Sequence, residues 1–251
     1  MIRVFLPAYN EQAALEPLVK KFDAELKRTG RRYEVLVLDD GSSDDTARTA
    51  EELSHRYPLT LIRHARNLGL GETMRDGLRQ VAGEASDDDA VVTMDCDDTH
   101  DPKYLGPALD KLEEGYDMVI LSRYQTGGGE KGLSPLKSLL SRGASSFLRL
   151  FFPIAGVREY SCGYRVMKAG ALKRAFLAFG NDFVKMPHLG FVVTPEILIK
   201  FRMLGLRIAE VPFVLEYGKK RSSSKNRPLA TIAGYFALVA LYWGRKAPRR
   251  A

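Results

Sequence analysis

Cysteine is nearly missing from this chain: Cys96 and Cys162 are the only two in 251 residues, and neither sits in a C-x-x-C or zinc-ligand spacing. That excludes a disulfide scaffold and points to free thiols in a reducing compartment. No run of 18 or more apolar residues occurs, so an ordinary membrane-spanning helix is not expected. The opening Met1-Ile2-Arg3-Val4-Phe5-Leu6-Pro7 lacks a signal peptide's long apolar region and reads as a first strand. The glycine-containing stretch Arg66-Asn67-Leu68-Gly69-Leu70-Gly71 is not G-x-G-x-x-G, and no Walker lysine motif occurs, which leaves a Rossmann dehydrogenase or a P-loop NTPase poorly supported. His55, His64, His100 and His188 are scattered, and no two stand four apart. His100 is expected to support the shape of the acidic turn before it rather than to catalyse.

Acidic residues are absent from one end. From Lys219 to Ala251 there are nine basic residues and no acidic one, leaving 29 basic against 31 acidic residues in the first 218. A near-neutral body with a basic tail calls for an anionic partner: nucleic acid, a phospholipid surface or a phosphorylated substrate. No helix-turn-helix, RRM or zinc-finger pattern accompanies the tail, so nucleic acid is not expected.

What is present is an alternation. Val4–Leu6, Glu34–Leu38, Leu59–Ile62, Ala90–Met94 and Met118–Leu121 are strand-length apolar runs. Between them the spacing predicts helices over Gln12–Arg28, Asp45–Tyr57, Gly71–Val81 and Pro102–Glu114, with Asp44 as N-cap of the second. The fold class is therefore α/β, with a mostly parallel central sheet flanked by helices. Farther on, Thr126–Gly132 holds four glycines in seven residues and reads as a mobile loop. A helix is expected over Pro135–Phe152, with Leu136, Leu139, Leu140, Phe147, Leu150 and Phe151 on one face. Thr194–Leu204 reads as another helix, and Arg207–Tyr217 as one or two strands broken near Pro212.

Ligands of parallel sheets sit at the carboxyl ends of the strands, and the polar clusters fall there: Pro7-Ala8-Tyr9-Asn10-Glu11, Asp39-Asp40-Gly41-Ser42 and Asp95-Cys96-Asp97-Asp98. Asp95 and Asp97 lie on one face of an extended chain, where they repel unless a cation relieves them. Oxygen-only ligands favour Mg²⁺ or Mn²⁺ over zinc. Acceptor-only carboxylates at Asp39 and Asp40 suit the ring N–H groups of a nucleobase. The stretch Arg66-Asn67-Leu68-Gly69-Leu70-Gly71 lets backbone approach a nucleotide, with Arg66 near phosphate.

In order and spacing, these segments resemble family 2 glycosyltransferases of the GT-A fold. Later segments are similar to the dolichyl-phosphate mannose synthase-like branch: Leu121-Ser122-Arg123-Tyr124, Ser141-Arg142-Gly143-Ala144, Ser161-Cys162-Gly163-Tyr164-Arg165, Glu210-Val211-Pro212-Phe213 and Ser224-Lys225. The resemblance covers roughly residues 2–227. It implies that Pro7, Tyr9, Glu11, Asp39 and Asp40 help bind the nucleotide, and that Asp95 and Asp97 serve the metal and the diphosphate. Thr99 stands where the branch often has a Gln in the metal shell, and Glu159 and Cys162 stand where it has Asp and Ser. Ser222 replaces a Gly, and Lys219 an Arg. Glu196 falls in the segment that faces the acceptor.

The implied activity is inverting transfer of a hexose, mannose or glucose, from a GDP- or UDP-sugar to a polyprenyl phosphate. The alternatives are the same donor chemistry with a soluble or other lipid acceptor, or a sugar-nucleotide-binding module without turnover. A phosphate monoester is already anionic, so no strong general base is required. Cations must hold it beside the donor, and Arg123, Arg142 and Lys225 are the candidates, with Ser141 and Gly69 lining the site. Residues 1–227 are expected to form the catalytic domain and residues 228–251 a basic, apolar membrane-associating segment. Pro228 to Gly244 is uncharged for 17 residues and has basic residues on both sides. Peripheral attachment to an anionic cytoplasmic leaflet is the expectation.

Overall fold

The computed structural model describes residues 1–220 and 228–248. Strands β1 (Ile2–Ala8), β2 (Tyr33–Asp39), β3 (Leu59–Arg63), β4 (Ala90–Thr93) and β5 (Met118–Ser122) occupy the five apolar runs. Two further strands, β7 (Arg165–Lys168) and β8 (Ile208–Pro212), complete a sheet of order β3-β2-β1-β4-β7-β5-β8. Every pairing is parallel except those of β7, which runs antiparallel to both β4 and β5. A small second sheet pairs β6 (Gly129–Lys131) with β9 (Val214–Glu216).

Side chains alternate across the main sheet, so each strand feeds two cores. Val4, Leu6, Val35, Val37, Val92 and Val119 pack on one face, beneath α1 (Gln12–Arg28), α2 (Thr46–Ser54) and α4 (Leu105–Glu113). Phe5, Leu36, Val91, Met118 and Ile120 pack on the other, beneath α3 (Leu70–Glu84), α6 (Ala169–Phe179) and α7 (Val193–Met203). In α1 the buried residues Ala14, Leu15, Leu18, Val19, Phe22 and Leu26 follow the helical period. Gly77 lets α3 lie close on β1, because a Cβ there would come within 2.1 Å of the Phe5 ring.

Two remaining helices frame the carboxyl ends of the strands: α5 (Pro135–Phe151) and α8 (Pro228–Tyr242). Pro135 stands in the first turn of α5, where its missing N–H costs nothing, and the Ser134 hydroxyl accepts from Lys137 N–H (3.4 Å). The expected apolar face of α5 is real but is not core. Leu148 is its one buried large apolar residue, whereas Leu136, Leu139 and Leu150 are 64%, 68% and 76% exposed.

Three local expectations change. The glycine-rich stretch is held rather than loose: β6 pairs with β9, and Glu130 bonds Arg123 at 3.1 Å. Helix α2 begins after Asp45, although the carboxylate that ties its first turn is Asp44, which accepts from Thr46 N–H at 3.0 Å. Strand β7 and helix α6 had no counterpart in the sequence reading.

Candidate active site

Strand β1 turns at Asn10, whose φ of 52° lies in the left-handed region, and delivers Tyr9 and Glu11 to the strand ends. The turn is pinned to the one after β2: Asn10 N–H donates to the Ser42 hydroxyl (2.8 Å) and Glu11 N–H to the Thr46 hydroxyl (2.8 Å). After β4, Asp98 takes a φ of 62° and bends the chain away directly beyond Asp97. Gly163 abuts this turn, and a Cβ there would crowd the Asp95 carboxylate at 3.3 Å.

One cavity of about 1190 Å³ opens at these ends. Pro7, Tyr9, Glu11, Asp40, Gly69, Asp95, Asp97, Thr99, Arg123 and Ser141, all named from the sequence, line it. It is larger than a typical small-molecule pocket of roughly 300–1,000 Å³. It runs from the acidic turn to walls built by α5 and α8, where Leu139, Leu140, Phe147, Ile232, Tyr235 and Phe236 contribute.

Asp97 is the centre of the acidic half. Its Oδ1 accepts from Thr99 N–H (3.2 Å) and the Thr99 hydroxyl (2.7 Å), and its Oδ2 accepts from the Lys220 ammonium. Burial raises its pKa, but the Lys220 ammonium and these hydrogen bonds outweigh that and hold the carboxyl below its ordinary range. Thr99, expected as a metal ligand, directs its hydroxyl proton into Asp97 and so orients that carboxylate. Among the described residues, no cluster of three or more metal-ligating side chains occurs.

His100 is buried against the rings of Tyr164 and Phe213 (5.5 and 5.4 Å between centroids). Burial holds its pKa down at about 4, so it is neutral at pH 7 and serves as packing. The unfolded chain then binds one more proton than the native state between roughly pH 4 and 6.5, and stability falls as pH drops through that window. Between pH 7 and 5 the wild type is expected to lose about 2 kcal/mol more than His100→Leu. Urea unfolding at both pH values checks this, and equal losses would refute it.

Arg123 is not the open phosphate fork that the sequence suggested. Its Nε and Nη2 grip Glu159 (2.7 and 2.9 Å), Nη1 reaches Glu130 (3.1 Å), and Nη2 also meets Ser141 and Ser161 (3.0 Å each). Glu159 holds Arg123 charged in spite of burial. With two carboxylates on one guanidinium, the group organises the cavity wall instead of offering a free cation. Glu159 had been noted only as a departure from the branch.

Asp40 does line the cavity, but its oxygens accept from Leu68 N–H (2.9 Å), Gly69 N–H (2.8 Å) and pair with His64 (2.8 Å), so it anchors the glycine turn. Four expected residues lie off the cavity wall. Asp39 is fully buried beneath the turn, where it accepts from Ser42 N–H (3.1 Å) and pairs with Arg63 (3.1 Å). Arg66 is exposed and not part of the lining. Arg142 is exposed at the rim, its guanidinium 5.3 Å from the Tyr124 ring centroid. Glu196 is wholly buried among Lys200 (2.6 Å), Tyr242 (2.7 Å) and Lys185 N–H (3.0 Å), where it fastens α8 to α7. Lys225 and Ser222 lie outside the described residues.

Two lysines that the sequence reading passed over reach the site. Lys220 was counted only among the nine basic residues of the tail, and Lys137 was not singled out; both line the cavity. Lys137 rests over the Tyr217 ring (4.8 Å) and donates to its hydroxyl (3.1 Å). Proximity of Lys220 to the Glu210–Phe213 segment was the available signal.

The profile described as Glycosyl transferase family 2 matches residues 3–177. The dolichol-phosphate mannosyltransferase of Pyrococcus furiosus is 31% identical over 213 residues, covering 84% of this chain and 55% of that protein. An undecaprenyl-phosphate 4-deoxy-4-formamido-L-arabinose transferase of Klebsiella pneumoniae is 37% identical over 123 residues, covering 47% of this chain and 35% of the relative. The chain thus spans between a third and just over half of these relatives' lengths. Among solved structures, glucosyl-3-phosphoglycerate synthase of Mycobacterium tuberculosis superposes with a TM-score of 0.65 at 24% identity, over 96% of this chain and 80% of that one. The same enzyme in complex with Mn²⁺, UDP and glucosyl-3-phosphoglycerate gives 0.62, also at 24% identity, over 96% and 77% of the two chains. Identity that low speaks for the fold alone, and the fold is GT-A, as the order of segments implied. With the profile spanning most of the sequence and the acidic turn at its strand end, the chain belongs to glycosyl transferase family 2.

Proposed function

We propose that this chain transfers a hexose, with inversion, from a nucleotide-diphosphate sugar to a polyprenyl phosphate at a membrane surface. The observation that carries the reading is the continuity of one cavity, from acidic strand ends to apolar walls that open onto exposed leucines. Carboxylates and glycine turns suit a nucleoside diphosphate; leucine and phenylalanine walls suit an isoprenoid chain. Curated relatives act, by name, on dolichol-phosphate and undecaprenyl-phosphate.

A divalent Mg²⁺ or Mn²⁺ fits the oxygen-only donor set of Asp95 and Asp97, because a buried carboxylate already balanced by an ammonium marks a place that demands positive charge. Two carboxylates with the diphosphate completing the shell is a usual arrangement for Mg²⁺. When bound, the ion supplies charge neutralisation for the departing nucleoside diphosphate. The chain's own groups do the positioning. An acceptor phosphate oxygen attacks the anomeric carbon in line as the bond to the diphosphate breaks, and it brings its own negative charge. Lys137 on the α5 side of the cavity and Arg142, exposed beside the lining residues Ser141 and Gly143, are the cations this reading assigns to it, while the Arg123–Glu159 pair fixes Ser141 and Ser161.

No helix among the described residues is long and apolar enough to cross a membrane. Helix α8, with 15 residues, reaches roughly 22 Å against a hydrocarbon core of about 30 Å. Its inner face, Tyr235, Leu238 and Tyr242, is buried on the body, so helix α8 packs with the rest of the fold. Its outer Leu229 and Phe236, with Trp243 just beyond, are exposed. They meet α5 through Phe147–Phe236 and Phe151–Trp243 contacts (5.2 and 5.6 Å). We read this joint face as the surface that lies on the anionic cytoplasmic leaflet.

Replacing Leu229, Phe236 and Trp243 together by Ser is expected to cut co-sedimentation with anionic liposomes at least fivefold while leaving the thermal midpoint nearly unchanged. Undiminished binding would move the membrane contact elsewhere. The activity itself is tested with labelled GDP-mannose, UDP-glucose and related donors against a polyprenyl phosphate and a soluble sugar phosphate. Transfer to the soluble acceptor alone would replace the lipid reading.

A further inference from the structure

Both oxygens of Asp97 are engaged. Thr99 donates twice to Oδ1, and the Lys220 ammonium sits on Oδ2. The same ammonium also feels the Glu11 and Asp95 carboxylates, so it lies amid the acidic residues at the strand ends. It is a wall of the cavity rather than surface decoration, at 14% side-chain exposure beside 11% for Asp97. The backbone carries it there: Glu216 N–H donates to the Thr99 carbonyl (3.0 Å), stitching the end of β9 to the turn after Asp97, and Lys220 N–H closes onto the Tyr217 carbonyl (3.2 Å).

An ammonium hydrogen-bonded to a carboxylate oxygen and a divalent ion coordinated by that oxygen repel strongly at this range, because like charges a few ångströms apart are too close for salt to screen. We propose that Lys220 is the built-in counter-cation of the acidic site, and that a divalent ion takes Asp97 only by displacing it. This rests on the metal reading of Asp95 and Asp97 given above. Two consequences follow from charge alone. Without nucleotide, the protein binds metal weakly, because Lys220 must give up its hydrogen bond to Asp97 and keep only the longer-range attraction of Glu11 and Asp95. With nucleotide, the diphosphate receives the displaced ammonium, so metal and nucleotide reinforce each other's binding.

The test measures Mn²⁺ binding to the full chain by the electron paramagnetic resonance of the free ion, without nucleotide and then with UDP or GDP. Wild type, Lys220→Met, Lys220→Gln and Asp97→Asn are compared, with thermal midpoints as a folding control. Both lysine variants are expected to bind Mn²⁺ roughly tenfold more tightly without nucleotide, as removal of a close like charge requires. Their gain in Mn²⁺ affinity on adding nucleotide should shrink. Asp97→Asn should bind more weakly than wild type. Lysine variants that match or fall below wild type, while Asp97→Asn still weakens binding, overturn the Lys220 proposal and leave the metal reading standing. No Mn²⁺ binding by any form, even with nucleotide, overturns both.

Discussion

Asp97→Ala is expected to lower kcat/KM for sugar transfer by roughly 10³-fold or more, the scale of losing several kcal/mol of charge stabilisation on the leaving diphosphate. The protein should remain folded. Asp97 accepts three hydrogen bonds, two from Thr99 and one from Lys220. The Thr99 hydroxyl can rotate to another partner, and Lys220 keeps Asp95 and Glu11 as neighbouring charges. Loss of about 1–3 kcal/mol of stability is the expected cost of the unpaired groups. Asp97→Asn separates charge from shape, since it preserves volume and an acceptor for Thr99 but removes the negative charge. If the carboxylate acts through its charge, the two variants are equally inactive while Asn is the more stable. Turnover near wild type in either one, with unchanged metal requirement, would remove Asp97 from the site.

Much of the frame was legible because α/β order is written locally. The runs that became β1 to β5 needed only apolar, β-branched residues at strand length, and the helices between them only a 3.6-residue period. The same order located the acidic turn, since ligand sites of such sheets gather at the carboxyl ends of strands. Strand β7 escaped because its identity is a pairing and not a pattern. Four residues, Arg165–Lys168, slot antiparallel between β4 and β5, and no neighbour in sequence reports that. The face of α5 was correctly seen as apolar, but a periodicity cannot say whether the apolar side meets core or surroundings. Partnerships at the site were hidden for the same reason. Lys220 and Asp97 are 123 residues apart, and Arg123 and Glu159 are 36 apart. Read alone, each was a charge of one sign, and Arg123 looked available because its two carboxylates could not be placed beside it.

Arg123→Met is expected to destabilise the protein by about 3–5 kcal/mol, the usual penalty for stripping one partner from a buried ion pair. For a chain of this size that lowers the thermal midpoint by roughly 6–20 °C. Glu159 is completely buried, and what would remain around it are Ser161 N–H (3.1 Å), the Ser161 hydroxyl (2.9 Å) and Cys162 N–H (3.2 Å) on a single oxygen. The other oxygen, held now by Arg123 Nε, would lose its one charged donor. Glu159→Gln should cost less, because Arg123 keeps Glu130 and the amide oxygen can still accept the backbone bonds. Arg123→Lys preserves charge but cannot reproduce the two-pronged grip, and should fall between them. Activity is expected to follow the same order, since Ser141, Ser161 and the Tyr124 hydroxyl, which donates to Ser141 at 3.0 Å, lose the group that aligns them. Double replacement by Arg123→Met and Glu159→Met removes the buried pair but leaves Glu130 without its cation, and should recover only part of the stability without recovering transfer. Denaturant unfolding of the five proteins, beside acceptor kinetics, decides it. A single Arg123→Met variant as stable as wild type would mean that the pair is a solvated contact and that Arg123 is free to meet the acceptor phosphate after all.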